Sequence, residues 1–169
     1  DQAGRMAVVI MQSGRKKYAG SAPTPDEALA SFTTYTGYFG DYSVNEAEGV
    51  VVHHRKGSLD PNETATDHPQ VFQFAQNRLT LKAPASVDGV QTTLTWERLP
   101  DLQNITPLHR KLIGFRKLVS NEARNAKGEL LASNPGQIGY ILYTPAGVMA
   151  VHMMQPNRPK YSGQRPTPQ

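Results

Sequence analysis

Two histidines stand side by side at positions 53 and 54, inside the apolar run VVVHHRK of residues 50–56. They are the residues of this chain best suited to chemistry. Imidazole changes charge near neutral pH, so it can serve as acid, base, hydrogen-bond partner or metal ligand. Neighbours on a strand point to opposite faces. His53 and His54 therefore cannot grip one metal ion together. One ring faces inward, with Val51 if it is His53 or with Val50 and Val52 if it is His54. An inward imidazole could hydrogen-bond a ligand or act as general acid or base. It could equally tie its strand to the loop at 57–62. His68 and His152 add no ligand spacing, and the chain has no Cys. No metal site and no cofactor are expected, and disulfides are excluded.

Around that imidazole, Tyr35, Tyr38, Tyr42, Trp96, Tyr140 and Met149 could line an apolar cavity or simply fill a core. No Ser–His–Asp set follows from spacing alone. Glu48, Glu63 and Asp67 fall in expected turns and read as solvated.

The elements that must position these residues are short and mostly extended. Residues 6–11 form an apolar run of strand length. Thr24, Pro25 and Glu27 make a capping box that starts a helix over about residues 25–36. A half-buried strand at 41–45 turns at 45–49 into the strand at 50–56. Residues 57–70, rich in Asp, Pro, Asn and Thr, read as a loop. Further strands are expected at 71–75, 79–82, 90–98, 112–125, 129–131, 138–144 and 148–155. About ten strands and one helix describe an antiparallel barrel or sandwich, and a barrel removes exposed edges.

The two ends of the chain repeat each other. Residues 4–25 (GRMAVVIMQSGRKKYAGSAPTP) and 147–168 (GVMAVHMMQPNRPKYSGQRPTP) agree at 13 of 22 positions with a constant offset of 143. Chance would give roughly one or two. An offset of 143 is domain-sized, not a solenoid repeat. The expected organisation places residues 1–99 as the later part of a first copy, 100–111 as a linker with two prolines, and 112–169 as the early part of a second copy. Together they amount to one circularly permuted barrel plus a spare strand. The repeated Lys17-Tyr18-x-Gly20 and Lys160-Tyr161-x-Gly163 lead into Pro-Thr-Pro in both copies, as a hinge into the helix or a gate over the barrel. One barrel offers the repeated strand one slot, so either one copy fills it while the other is displaced, or the segment is exchanged with a second chain; exchange or a homodimer is the expected outcome.

Several segments resemble a known family. His53–His54 with Gly57-Ser58-Leu59-Asp60-Pro61-Asn62 is similar to the HH-x-x-GS-L-x-PN signature of bacterial and fungal lipocalin-like domain proteins. Residues 35–42 (YTGYFGDY) resemble that family's segment just upstream. Residues 112–120 resemble its opening strand and 139–145 its second strand and turn. The order is permuted, as the repeat offset requires. Gly114 is followed by Phe115 and Arg116 where lipocalins proper carry Gly-x-Trp, so the resemblance is to the wider calycin grouping. It implies a mainly β, antiparallel calycin or lipocalin-like barrel of about 8–10 strands with one short helix.

Composition narrows the function classes. Net charge is +4, and the basic residues are scattered over loops and strands, without the aromatic interleaving of a nucleic-acid surface. No apolar run reaches the ~20 residues that span a bilayer. The start Asp1-Gln2-Ala3-Gly4 lacks Met and reads as a processed or truncated end. The compartment stays open between cytoplasm, periplasm and secretion. Three functions fit: binding of a small apolar or amphipathic molecule in the barrel; a cavity enzyme of isomerase, cyclase or hydratase type using an interior His and Tyr; or a self-filled structural module.

Overall fold

A computed structural model describes residues 3–163. Its eleven strands form three antiparallel sheets. β1 (Arg5–Met11), β2 (Tyr35–Asn45), β3 (Val50–Ser58), β4 (Thr66–Ala75), β5 (Arg78–Lys82) and β6 (Thr93–Glu97) run in that order across a curled six-stranded sheet, half of a barrel. β7 (Gly114–Lys117), β10 (Ile138–Tyr143) and β11 (Met149–Met154) form a second sheet in the order β11-β10-β7. β8 (Glu122–Arg124) and β9 (Leu130–Ser133) make a separate hairpin. The fold is mainly β, as expected of a lipocalin-like barrel.

The first helix, α1 (Pro25–Thr33), has the expected capping box: Thr24 N donates to Glu27 Oε2 at 2.8 Å, and Glu27 N to Thr24 Oγ1 at 3.3 Å. It ends before residue 36 because Gln12 N donates to Thr34 O and Met11 already pairs with Tyr35, so the chain has joined the sheet. A second helix, α2 (Pro107–Leu112), lies in the stretch read as a plain linker. Thr106 caps it, with His109 in the place that Glu occupies at α1. The single strand expected over 112–125 is broken. β7 runs out of partner at Gly139, whose carbonyl accepts from Leu118 N, and the following residues pair into the β8–β9 hairpin instead.

β4 starts at Thr66, so the second half of the expected 57–70 loop is strand. Pro69 lies inside this strand. It is tolerated because it pairs opposite Val52 outside the hydrogen-bonded rows: Phe72 N donates to Gly49 O, which puts the bonded row on even residues of β4. The side Pro69 would donate to lies beyond the end of β5, whose last pair is Lys82 with Val71. Gly40 marks a bulge between Phe39 and Gly40. A Cβ there would sit 1.9 Å from His54 O, so no other residue fits. Among the described residues the buried apolar core is small: Tyr38, Phe39 and Leu81. Phe39 packs under the second sheet, its ring centroid 5.0 Å from that of Tyr140.

Candidate functional site

Alternation along four adjacent strands brings one row of side chains to the concave face. Register pairs Val51 with Gln70, His53 with His68, Leu81 with Leu94 and Leu79 with Trp96. Of these, His53, Gln70, Leu79, Leu81, Leu94 and Trp96 line, with Tyr38 and the β1 residues Met6 and Val8, an open trough of about 720 Å³. That volume falls in the range of small-molecule sites, about 300–1,000 Å³.

Its polar centre is His53, only 7% exposed. Gln70 Nε2 donates to His53 Nδ1 at 3.1 Å, and Tyr38 Oη lies 3.1 Å from the same nitrogen. An Nδ1 that accepts from both leaves the ring proton on Nε2. Burial pushes the imidazole down to about 4, helped by the nearby charges of His68, Arg55 and His54. Burial also raises the Tyr38 phenol to about 12. At neutral pH both groups are uncharged. Below the cluster, Arg55 stacks over the Tyr38 ring at 5.7 Å and pairs with Glu63 at 3.0 Å. Glu63 also accepts from Ser58 Oγ at 3.2 Å, so the 57–63 loop is anchored to the trough floor.

Trp96 faces the same trough with its indole Nε1 buried and without a hydrogen-bond partner. Buried donors are normally satisfied, and an orphan one costs about 1–3 kcal/mol.

The other histidine faces out. His54 Nδ1 donates to Asp67 Oδ1 at 2.8 Å, and Ser43 Oγ donates to His54 Nε2 at 2.9 Å. Ser–His–Asp is the order of a hydrolase relay. Here it spans β2, β3 and β4 on the exposed face, and none of the three lines the trough or the clefts beside it. The three side chains link β2, β3 and β4 across the sheet.

Of the residues singled out by sequence, Tyr35, Tyr38, His53, Trp96 and Met149 line the trough. His54 lies on the opposite face. Tyr42 lines a neighbouring cleft with Arg5, Ala7 and Phe115. Tyr140 packs between Phe39 and Phe115. Sequence reasoning missed Gln70, hidden in the supposed loop behind Pro69. It missed the Arg55–Glu63 pair because Glu63 was taken as solvated. The Ser43–His54–Asp67 chain was invisible because only register brings its members together. Among the described residues no three His, Asp or Glu gather as a metal site needs. No helix of the described residues is long and apolar enough to cross a membrane.

A family model described as a lipocalin-like domain matches residues 1–99. No curated protein and no solved structure gives a significant match. The matched stretch is more than half of the chain and ends where α2 and its preceding connection begin. It holds the whole six-stranded sheet and the His53 cluster. The chain belongs to the lipocalin-like domain family.

Proposed function

We propose that this lipocalin-like chain binds a small, largely apolar molecule in the trough, holding a polar group of that molecule against His53, Tyr38 and Gln70. The observation that carries the reading is the uncharged polar cluster buried in an otherwise apolar wall. Leu79, Leu81, Leu94, Val8 and Met6 supply the apolar contact. The orphaned Trp96 Nε1–H supports a ligand that brings a hydrogen-bond acceptor, which would recover the desolvation cost of that donor.

The same electrostatics weigh against the cavity-enzyme reading. A general acid or base works best when its pKa lies near the working pH. His53 at about 4 and Tyr38 at about 12 sit far on either side of neutrality. They suit hydrogen bonding to a ligand better than proton transfer. The open volume of the trough supports binding over a self-filled module.

Trp96 is the chain's single tryptophan, so it reports on the trough without labelling. N-octyl dansylamide has an alkyl tail, no net charge and sulfonyl acceptors. Titrated into the full chain, it should draw energy transfer from Trp96 that saturates at one molecule per chain. Linear, unsaturable transfer would reject the reading.

A further inference from the structure

The repeated strand is present twice, as β1 and β11, and the structure pairs each copy on one side only. β1 pairs with β2 and β11 with β10. The two use opposite edges of the same sequence. Gly4 O accepts from Tyr42 N, and Gln12 N donates to Thr34 O, so β1 bonds to β2 through its even residues Met6, Val8 and Ile10. Val148 O accepts from Thr144 N, so β11 bonds to β10 through Val148, Ala150, His152 and Met154. At the offset of 143 these match Arg5, Ala7, Val9 and Met11, the odd residues of β1. The edge that β11 leaves open is therefore the edge by which β1 holds β2.

We propose that β1 and β11 are interchangeable occupants of the position beside β2, and that β11 displaces β1 there within the same chain. Three further observations point the same way. Met149, Val151 and Met153 are exposed, whereas their equivalents Met6, Val8 and Ile10 are half-buried on the Tyr38 side. Exchange would bury the first set as it now buries the second. β11 also already lies against β2: the His152 and Phe39 rings are 5.8 Å apart, and the His152 ring is 3.1 Å from where a Cβ on Gly37 would stand. In the repeat register His152 falls opposite Gly37, as Val9 does now.

The third observation is that the segment after β11 has already docked. Arg158 donates to Ser58 O at 2.8 Å and to Leu59 O at 2.7 Å. Tyr161 N donates to Asn62 Oδ1 at 2.7 Å, and the Tyr161 ring stands edge-on to Phe32. Their counterparts Arg15 and Tyr18 instead bond Ser31 on α1. One copy holds the strand position, and the other copy's following segment holds the 57–63 loop. After exchange the sheets merge as β7-β10-β11-β2-β3-β4-β5-β6, eight strands, which is enough for a closed barrel that holds one small ligand.

The absence of cysteine makes the test clean. Asp41 lies opposite Arg5 in a pair outside the hydrogen-bonded row, where Cβ atoms come close enough for a disulfide. Val148 is the repeat equivalent of Arg5. Asp41→Cys with Arg5→Cys reports β1 in place, and Asp41→Cys with Val148→Cys reports β11 in place. Under mild oxidation the second pair should close within one chain, and its yield should rise several-fold when Val8→Pro removes an N–H that β1 gives to β2. No crosslink, or a crosslink found only between two chains, would overturn the proposal; the latter would make the occupant a second copy. Hydrogen exchange on the unsubstituted chain needs no folded variant. The amides of Met149, Val151 and Met153 should be protected well beyond an open edge, and those of Met6, Val8 and Ile10 less than the β2–β3 ladder. Open-edge exchange at β11 with full protection at β1 would sink the idea.

Discussion

His53 and His54 are chemically identical neighbours with opposite surroundings. His53 looks into the trough, where Tyr38 and Gln70 converge on one ring nitrogen in a buried site. His54 looks outward, and its bonds to Ser43 and Asp67 are open to water. The difference comes from one residue of strand advance, not from local sequence. It teaches that a hydrogen-bond chain resembling a catalytic relay carries less functional weight than a quieter buried cluster beside an open cavity. Water competes for every bond of the first and for few of the second.

Truncation should separate the two most strongly. His53→Ala leaves the Tyr38 hydroxyl and the Gln70 amide without their shared acceptor, at about 1–3 kcal/mol for each buried group left unpaired. Unfolding in urea should show a loss of about 2–6 kcal/mol for His53→Ala and less than about 1 kcal/mol for His54→Ala. Equal losses would dissolve the contrast.

The pH dependence sharpens it. The fold holds His53 neutral down to about 4, against an ordinary value of 6.5. Below pH 6.5 the unfolded chain therefore takes up a proton that the folded chain refuses, and stability falls as pH drops from 6.5 toward 4. His68 and His152, both lowered first by burial, act in the same direction. Melting temperature should fall through that window, and His53→Gln should flatten the fall.

These contrasts were partly legible in the sequence. Period-two geometry alone put the two imidazoles on opposite faces. The inward choice between His53 and His54 was not legible. It depends on register with β4, and a composition rich in Asp, Pro, Asn and Thr disguised the start of that strand as loop. The α1 cap was readable because its chemistry is local; α2 was not, because six residues with His109 in the Glu position make a weak signal. The repeat was plain, but the opposite edges used by its two copies are a property of pairing, and no single strand shows them.

The smallest effects belong to the outer face. Ser43→Ala and Asp67→Ala each remove one exposed bond and should cost less than about 1 kcal/mol. Neither should change dansylamide binding. A large loss of binding from either would move the site to the wrong side of the sheet.

The most direct measurement is the affinity of N-octyl dansylamide, read by energy transfer from Trp96, for the unsubstituted chain, His53→Ala and His54→Ala under conditions where all three are folded. The trough account predicts that His54→Ala binds within about twofold of the unsubstituted chain and that His53→Ala binds roughly tenfold or more weakly, the loss of about one well-made hydrogen bond in a buried site. Equal affinity across all three, or a loss confined to His54→Ala, would contradict it.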